Sequence, residues 1–366
     1  MKHLVLVGAG HAHVAAAAAV PRLVAAGADV TLVAPGPFWY SGLATGMLGG
    51  GYAAALDVID VGAAIERGGG RSVRGTVTAL VPGERTLVLA TGERLSYDLL
   101  SLDVGSVVPG DVIPGAGEYG VLAKPIDRLA EVRARLEAGF ARGDLVRVCV
   151  VGGGATGTEL AAAVLSLARR CGGAVAVTLV GAAPRLAPGF PQPAADWLAA
   201  HLRRRGAVLR LGVGATAVVP ASVRLANGED VAADVTLVAT GVRPPTLLAE
   251  AGLPCDGEGA LIVDRALCCP TYPEIFGAGD CIAFAARALP RVGVYAVRQA
   301  PILVANLLAA LRGEPLRDYE PQRAYLLVLN LGDGTALAVR GRRWWYGRAA
   351  FWLKDRIDRR WLAAQC

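Results

Sequence analysis

The sequence predicts an α/β protein made of two parallel-sheet domains, the second inserted in the first, followed by a short C-terminal α+β tail. Two observations predict this class. A strand, a glycine turn and a helix open the chain at residues 3–26, and the same succession returns at residues 145–170. Each unit is followed by a second apolar strand, at residues 28–35 and 174–181. This is the order of a βαβ unit in a parallel sheet.

The remaining elements fix the predicted domain boundaries. Short strands alternate with turns at residues 75–106 and again at 214–244, and residues 295–313 form a predicted helix that ends at Gly313. The prediction is a first domain at 1–120 and 251–320, an inserted domain at 121–250, and a tail at 321–366.

Composition narrows the class further. The chain has 366 residues, 54% of them hydrophobic, but no uninterrupted apolar run of about 18 residues, so we expect no transmembrane helix. Its seven cysteines show no CxxC pair and no metal-ligand spacing, and its four histidines are scattered. We therefore expect a protein of the reducing cytoplasm without a metal centre.

The two glycine turns point to dinucleotides. Such a turn needs one glycine for the sharp bend, a second for close approach to a pyrophosphate, and a third for helix packing. The phosphate then lies on the positive helix N-terminus. The inserted unit, "GGGATG", has all three at Gly152, Gly154 and Gly157. Both domains are thus expected to be Rossmann-like.

The first turn departs from the pattern. It keeps Gly8 and Gly10 but has His13 in place of the third glycine. On the pattern alone, a plain strand–helix turn with a buried histidine stays an alternative to a nucleotide site. Both units also lack the acidic residue that would hold the adenosine ribose. Arg185 could instead meet a 2′-phosphate, or be an ordinary surface arginine, so NADH and NADPH both stay open.

A wider set of motifs carries a family resemblance. These are "VLVGAGHAHV", "YDLLSLDVGS", "GGGATGTELA", "LVATGVRP", "IFGAGD", "YAVRQAPILVANL" and "WLKDRIDRRW", in this order along nearly the whole chain. The sequence resembles the flavoprotein pyridine-nucleotide oxidoreductases, in particular the type II NADH:quinone dehydrogenase and sulfide:quinone reductase branch. It most resembles the NADH-dehydrogenase-like flavoproteins found fused to selenophosphate synthetase. The GHAH turn is typical of those proteins, so the resemblance implies that the first turn binds FAD.

The resemblance also implies roles for individual residues. Those for FAD are Gly8, Gly10, His11, His13, Tyr40, Ser41, Gly42, Gly279 and Asp280. Those for NADH or NADPH are Gly152, Gly154, Gly157 and Glu159, with Gly241 where the chain crosses back to the first domain. Gln299 and Lys124 are the catalytic candidates beside the flavin. The alternatives are a helix N-cap for Asp280, an ordinary helix residue for Gln299 and a surface lysine for Lys124.

The cysteines indicate the electron acceptor. Disulfide reductases carry a CxxxxC pair on the helix after the first turn, and residues 36–60 contain no cysteine. The predicted function is therefore electron transfer from NADH or NADPH through FAD to a quinone or another small acceptor. The alternatives are a sulfur- or selenium-handling flavin reductase, which needs cysteines flanking the flavin, and a flavin-binding docking partner with little turnover.

The tail is basic and aromatic. Residues 340–361 contain eight basic and two acidic residues and four of the six tryptophans. Tyr346, Ala350, Leu353, Ile357 and Trp361 fall at helical spacing. We expect this amphipathic helix to lie on the inner face of an anionic membrane, or alternatively on the protein's own core. No nucleic-acid-binding fold accompanies the charge, so we expect no nucleic acid; a homodimer is the expected oligomer.

Overall fold

The computed structural model describes residues 1–365; Cys366 and the side chain of Asp57 lie outside the description. The first segment of the chain contains β1 (Lys2–Val7), α1 (His11–Ala25), β2 (Ala28–Ala34), β3 (Phe38–Trp39), α2 (Ser41–Leu48), β4 (Val58–Ile59), α3 (Val61–Arg67), β5 (Arg71–Arg74), β6 (Val77–Val81), β7 (Thr86–Leu89), β8 (Arg94–Ser96), β9 (Leu99–Leu102) and α4 (Ala116–Tyr119). The next segment contains β10 (Val121–Leu122), α5 (Arg128–Ala141), β11 (Leu145–Val151), α6 (Ala155–Cys171), β12 (Ala174–Gly181), α7 (Gln192–Arg204), β13 (Val208–Leu211), β14 (Ala215–Val219), β15 (Ser222–Leu225), β16 (Asp230–Ala232) and β17 (Val235–Val238).

The remaining elements complete the first domain and form the tail. They are α8 (Leu247–Glu250), β18 (Leu261–Val263), β19 (Ile275–Gly277), β20 (Ile282–Phe284), α9 (Gly293–Arg312), β21 (Leu327–Asn330), β22 (Ala336–Arg340), β23 (Arg343–Gly347) and α10 (Arg348–Ala363).

Two five-stranded parallel sheets organise the molecule. The first has the strand order β19-β9-β1-β2-β5, and the second has the order β10-β17-β11-β12-β13. The fold class is therefore α/β with two Rossmann-like domains. In each sheet the glycine turn follows the central strand, β1 or β11, so both turns lie at the carboxyl edge where α/β sheets bind ligands.

Helix packing buries the apolar faces of these sheets. The alanine-rich α1 packs against α9, because small side chains let the two helices approach closely. α9 ends at Gly313, which has a φ of +70° and forms a left-handed C-terminal cap. α9 also has the length and hydropathy that a membrane span needs, but 61% of its apolar window is buried inside the protein.

The tail corrects one sequence prediction. Tyr346 was expected on the helix, but it lies in β23, and the helix begins only at Arg348. The predicted apolar stripe does not lie on one side of the helix: Ala350 is buried, whereas Ile357 is 46% exposed. The face that packs on the protein also includes the charged Asp358, which is buried.

Candidate active site

The first glycine turn connects β1 to α1 and excludes side chains at two positions. Gly8 has a φ of +89°, and a Cβ atom there would lie 2.8 Å from the Cα atom of Val104. A Cβ atom on Gly10 would overlap the carboxylate of Asp103. The Asp103 side chain therefore occupies the space that a side chain at position 10 would need.

His13, in place of the third glycine, is fully buried. Its Nδ1 atom lies 2.6 Å from the Gly8 carbonyl oxygen and its Nε2 atom 2.8 Å from Ser101 Oγ. Burial lowers the pKa of His13 to about 4, so the ring is neutral at pH 7. Nδ1–H then donates to the Gly8 carbonyl, and Nε2 accepts from the Ser101 hydroxyl. The histidine thus ties the turn to β9.

Asp103 follows β9 and lies against the N-terminus of α1. Its carboxylate accepts hydrogen bonds from the backbone amides of Ala12 at 2.7 Å and His13 at 3.0 Å. The residue is only 2% exposed, and burial raises its pKa to about 7 although the two amides lower it. The first turn of α1 has no acidic residue of its own, so Asp103 supplies the negative charge that a helix N-terminus favours.

Lys124, Asp280 and Ser106 form a polar cluster where the loops after β10, β19 and β9 meet. Lys124 Nζ lies 2.9 Å from Asp280 Oδ2 and 2.8 Å from Ser106 Oγ, and Ser106 donates to Asp280 Oδ2 at 2.7 Å. Burial alone would raise the pKa of Asp280, but Lys124 and Ser106 bring it below its usual value. Asp280 is therefore ionised at pH 7 and holds a lysine; it does not cap a helix.

Gln299 lies on α9 and faces the same region. It is 1% exposed, and its Oε1 atom accepts a hydrogen bond from the Gly279 amide at 2.8 Å. Gly279 has a φ of +78°, and a Cβ atom on it would lie 2.6 Å from Asp103 Oδ1. The carboxamide of Gln299 therefore fixes the turn that carries Asp280.

The C-terminal helix reaches the first turn through aromatic rings. His11, the first residue of α1, has its ring centroid 5.4 Å from that of Trp361 and 4.8 Å from that of Phe38. Tyr40 stacks on Trp361 with a centroid distance of 4.5 Å. Burial lowers the pKa of His11 to about 4, so this cluster is uncharged at pH 7.

Polar contacts join the same helix to the start of α2. The Tyr40 hydroxyl donates to Asp358 Oδ1 at 2.8 Å. Lys354 Nζ donates to the Gly42 carbonyl at 2.6 Å and to Asp358 Oδ2 at 2.7 Å. The Lys354 and Asp358 side chains are 11% and 7% exposed, whereas Ser41 is exposed. α10 thus covers the segment that the sequence assigns to the flavin.

The second glycine turn joins β11 to α6. Gly152 has a φ of +128°, and a Cβ atom on Gly157 would overlap the Gly152 carbonyl oxygen. A Cβ atom on Gly154 would meet nothing within 4 Å. The N-terminus of α6 is therefore open to a phosphate.

The surroundings of the second turn show where two further predicted residues lie. Gly241 has a φ of +112°, and two residues later Arg243 pairs its backbone with Val107 of the first domain. Arg185 donates to the Pro188 carbonyl at 2.8 Å within its own loop, so its guanidinium is partly engaged there.

Glu159 lies at the interface of both domains and the tail, away from the phosphate turn. Its Oε1 atom accepts from the Asn330 amide at 2.7 Å and from Thr45 Oγ1 at 3.4 Å. Burial raises the pKa of Glu159 to about 7, although the nearby Lys354 ammonium lowers it. The carboxyl can therefore hold a proton near neutral pH.

All six described cysteines are free: Cys149, Cys171, Cys255, Cys268, Cys269 and Cys281. Cys281, beside Asp280, is fully buried, and burial raises the pKa of its thiol to about 12. Within residues 1–365, no group of three or more histidine, cysteine or acidic residues is placed to hold a metal ion.

Known proteins place this architecture in a family. A family model described as pyridine nucleotide-disulphide oxidoreductase matches residues 2–300. The chain belongs to this family. As a member of this family it is an FAD-dependent NAD(P)H dehydrogenase. An NADH dehydrogenase-like protein from Mycobacterium tuberculosis is 30% identical over 76% of this chain and 72% of its own length.

Other similar proteins include quinone-reducing enzymes. The type II NADH:quinone oxidoreductase of Haemophilus influenzae is 25% identical over 71% of this chain and 66% of that protein. The structure of NDH2 from Plasmodium falciparum in complex with NADH has a TM-score of 0.84 at 14% identity, covering 100% of this chain and 97% of the other. The sulfide:quinone oxidoreductase of Aquifex aeolicus has a TM-score of 0.82 at 19% identity, covering 100% of this chain and 91% of the other. These structures share the fold.

The residues around the first turn fit FAD. The turn keeps Gly8 and Gly10, the two glycines that a backbone approaching a pyrophosphate requires. Asp280 is ionised and held at the edge of a neighbouring turn, where it can accept hydrogen bonds from a polyol. Lys124 brings a positive charge to the same place. One group is unexpected: the carboxylate of Asp103 already lies on the amides of α1.

Sequence reasoning missed Asp103, Ser106, Lys354 and Asp358. A signal for Asp103 was present, because an aspartate interrupts the apolar run "LLSLDVG". Lys354 also stood out as one of three lysines in the chain. Their partners lie far away in sequence, so the contacts themselves could not be inferred.

Proposed function

We propose that this chain passes electrons from NADH or NADPH through FAD to a quinone-like acceptor without a redox-active disulfide. The observation that carries the proposal is the composition of α2, which lies where disulfide reductases have their cysteine pair. α2 contains no cysteine, and its first residues contact Lys354 and Asp358 through Tyr40 and Gly42. The electrons must therefore pass from FAD to an acceptor other than a disulfide of α2.

The protein's own groups position the reaction and balance its charge. FAD, when bound, supplies the hydride chemistry. Lys124 and Lys354 place ammonium groups beside Asp280 and Gly42, two of the residues assigned to FAD. Such cations stabilise a reduced, anionic ring. Gln299 holds the Gly279 turn in place, and Glu159 can hold a proton at the domain interface.

A steady-state assay tests the acceptor. We expect NADH oxidation to accelerate on addition of a short-chain ubiquinone or menaquinone and to stay slow with polysulfide or selenite. Polysulfide and selenite are tested because the sequence resembles flavoproteins fused to selenophosphate synthetase. The thiol of Cys281 is buried and has a raised pKa, so it offers no accessible nucleophile for these acceptors. Faster turnover with a chalcogen acceptor than with any quinone would refute the proposal. A bound flavin without turnover would indicate a docking protein.

We further propose that the outer face of the tail binds an anionic membrane. Trp352 is 61% exposed and Ile357 46%, and the exposed arginines Arg348, Arg356 and Arg360 flank them. Aromatic and basic residues in this mixture suit the headgroup region of a bilayer. The inner face of α10 packs on the protein. The proposed membrane contact therefore concerns only the outer face of the same helix.

Vesicle co-sedimentation tests this surface. Each basic residue contributes about 1 kcal/mol near an anionic surface. The double variant Arg348→Gln/Arg356→Gln should therefore bind phosphatidylglycerol vesicles roughly thirtyfold more weakly than wild type. Arg22→Gln, on the exposed side of α1, is the matched control and should bind unchanged. Equal binding by the double variant would exclude this face. We also propose that the protein is a homodimer, and sedimentation velocity of the protein without vesicles would measure its oligomeric state.

A further inference from the structure

The two glycine turns of this chain form a matched internal pair. The Gly8 amide donates to the Val33 carbonyl at 2.8 Å, and the Gly152 amide donates to the Val180 carbonyl at 2.8 Å. Each turn lies between its own first and second parallel strands. The second turn is therefore an internal reference for the first, and a difference between the two shows what is particular to the first turn.

The pair differs at the residue after the third strand of each unit. The Asp103 amide donates to the Val7 carbonyl at 2.9 Å, and the Ala239 amide donates to the Val151 carbonyl at 2.7 Å. Asp103 and Ala239 are thus counterparts. The first helix N-terminus faces the Asp103 carboxylate, whereas the counterpart Ala239 has only a methyl side chain. A Cβ atom on Gly154 accordingly meets nothing within 4 Å, and one on Gly10 meets Asp103.

We propose that Asp103 is a resident anion of the FAD site and that FAD binds with uptake of one proton at this carboxylate. The inference rests on the assignment of the first turn to FAD. A pyrophosphate at the N-terminus of α1 adds negative charge beside Asp103. Two anions in a dry site cannot both stay ionised cheaply, so the carboxyl takes a proton from solvent.

Among the described residues, the groups that shift the pKa of Asp103 are two backbone amides and the carboxylate of Asp280, and none of them is a cation. Asp280 and Cys281 approach from the turn after β19, and Asp280 raises the pKa of Asp103 further. On α1, the side chain of His13 is neutral and bonded to Gly8 and Ser101. Of the groups of His13, only the backbone amide therefore stabilises the ionised form of Asp103. The pKa of about 7 for Asp103 without FAD means that a modest added repulsion protonates it at neutral pH.

The consequence is a pH-dependent affinity. A carboxyl whose pKa is higher with FAD than without it makes FAD binding stronger at low pH and weaker as the pH rises. The dissociation constant should increase by up to about tenfold per pH unit between the two pKa values, because a single proton is involved. Above the higher of the two values it levels off.

The test follows FAD release from the full-length holoprotein. Dilution of the holoprotein between pH 6 and 9, with free flavin read by fluorescence, gives the dissociation constant at each pH. Wild type should weaken several-fold per unit above pH 7. Asp103→Ala, which copies the Ala239 arrangement, and Asp103→Asn, which keeps an acceptor for the helix amides, should lose this slope. His3→Asn removes an imidazole at the other end of β1, where its ring contacts Thr31, and as the control should keep the slope.

Calorimetry gives a readout that needs no variant. FAD binding to deflavinated wild type in buffers of different ionisation enthalpy should show net proton uptake near pH 8. A flat wild-type profile, no proton uptake, or an unchanged slope in both Asp103 variants would overturn the inference. Wild type that holds FAD and is bleached by NADH with a flat profile overturns only this inference. Wild type that binds no FAD at any pH contradicts the FAD assignment as well.

Discussion

At the scale of single residues, Gly10 is a position where the first turn has no room for a side chain. A branched side chain there would overlap the Asp103 carboxylate, which cannot retreat because it is buried and bonded to two amides. We predict that Gly10→Val purifies without flavin, measured as visible flavin absorbance per protein. Gly189→Val is the control, because a Cβ atom there meets nothing within 4 Å. Full flavin content in Gly10→Val would show that the site is misplaced.

Glu159 predicts a pH dependence of stability. Its pKa is raised from 4.5 to about 7 in the folded protein, so the folded state binds more protons than the unfolded state between these values. Wild-type stability should therefore fall as the pH rises through this window, by up to about 3 kcal/mol from this group. Glu159→Gln should remove that part of the fall, as measured by urea unfolding at pH 5 and pH 8. Equal pH slopes in both proteins would contradict the assignment.

At this scale the sequence predicted positions better than roles. His13 was assigned to the first turn, but its contact with Ser101 spans 88 residues of sequence and becomes visible only in the folded chain. Asp103 was within reach, since "LDVG" and the later "VATG" occupy equivalent places and only the first contains a charged residue. Its contact with the α1 amides still depended on knowing how β9 lies beside β1.

At the scale of elements, α10 depends on a buried ion pair. Asp358 accepts from Lys354 and from the Tyr40 hydroxyl, so Asp358→Ala leaves a buried ammonium without its partner. Loss of one member of such a pair costs about 3–5 kcal/mol, and we predict a decrease of this size in the free energy of unfolding by urea. The exposed Arg360→Ala on the same helix should change it by less than about 0.5 kcal/mol. Equal effects of the two variants would mean that the inner face contributes no more than the outer one.

The elements themselves divide into those that periodicity predicts and those that it does not. The strand–turn–helix units at 3–26 and 145–170 were predicted because buried parallel strands and alanine-rich helices have strong patterns. The tail was harder, since its aromatic and basic residues lie on both faces of α10 and on β23. Trp361 packs on Tyr40 whereas Trp352 is exposed, and no periodic rule separates two such tryptophans.

At the scale of the whole molecule, the tail and α2 join the two Rossmann-like domains. α2 packs against α5 and α6 of the inserted domain, and Glu159 contacts both Thr45 and Asn330. The internal repeat in the sequence predicted two such domains. The way they meet depends on contacts between segments more than 100 residues apart, which a local pattern does not encode.

The most direct test of the central claim is anaerobic mixing of the purified holoprotein with NADH and, separately, with NADPH, while the flavin absorbance is followed. NADH should bleach the flavin rapidly, and the absorbance should recover when a quinone is added. Bleaching by NADPH as well would show that the protein accepts the 2′-phosphate, as Arg185 and the lack of an acidic residue for the adenosine ribose would allow. A bound flavin that neither nucleotide bleaches would contradict the account, because the two glycine turns would then not bring donor and flavin together.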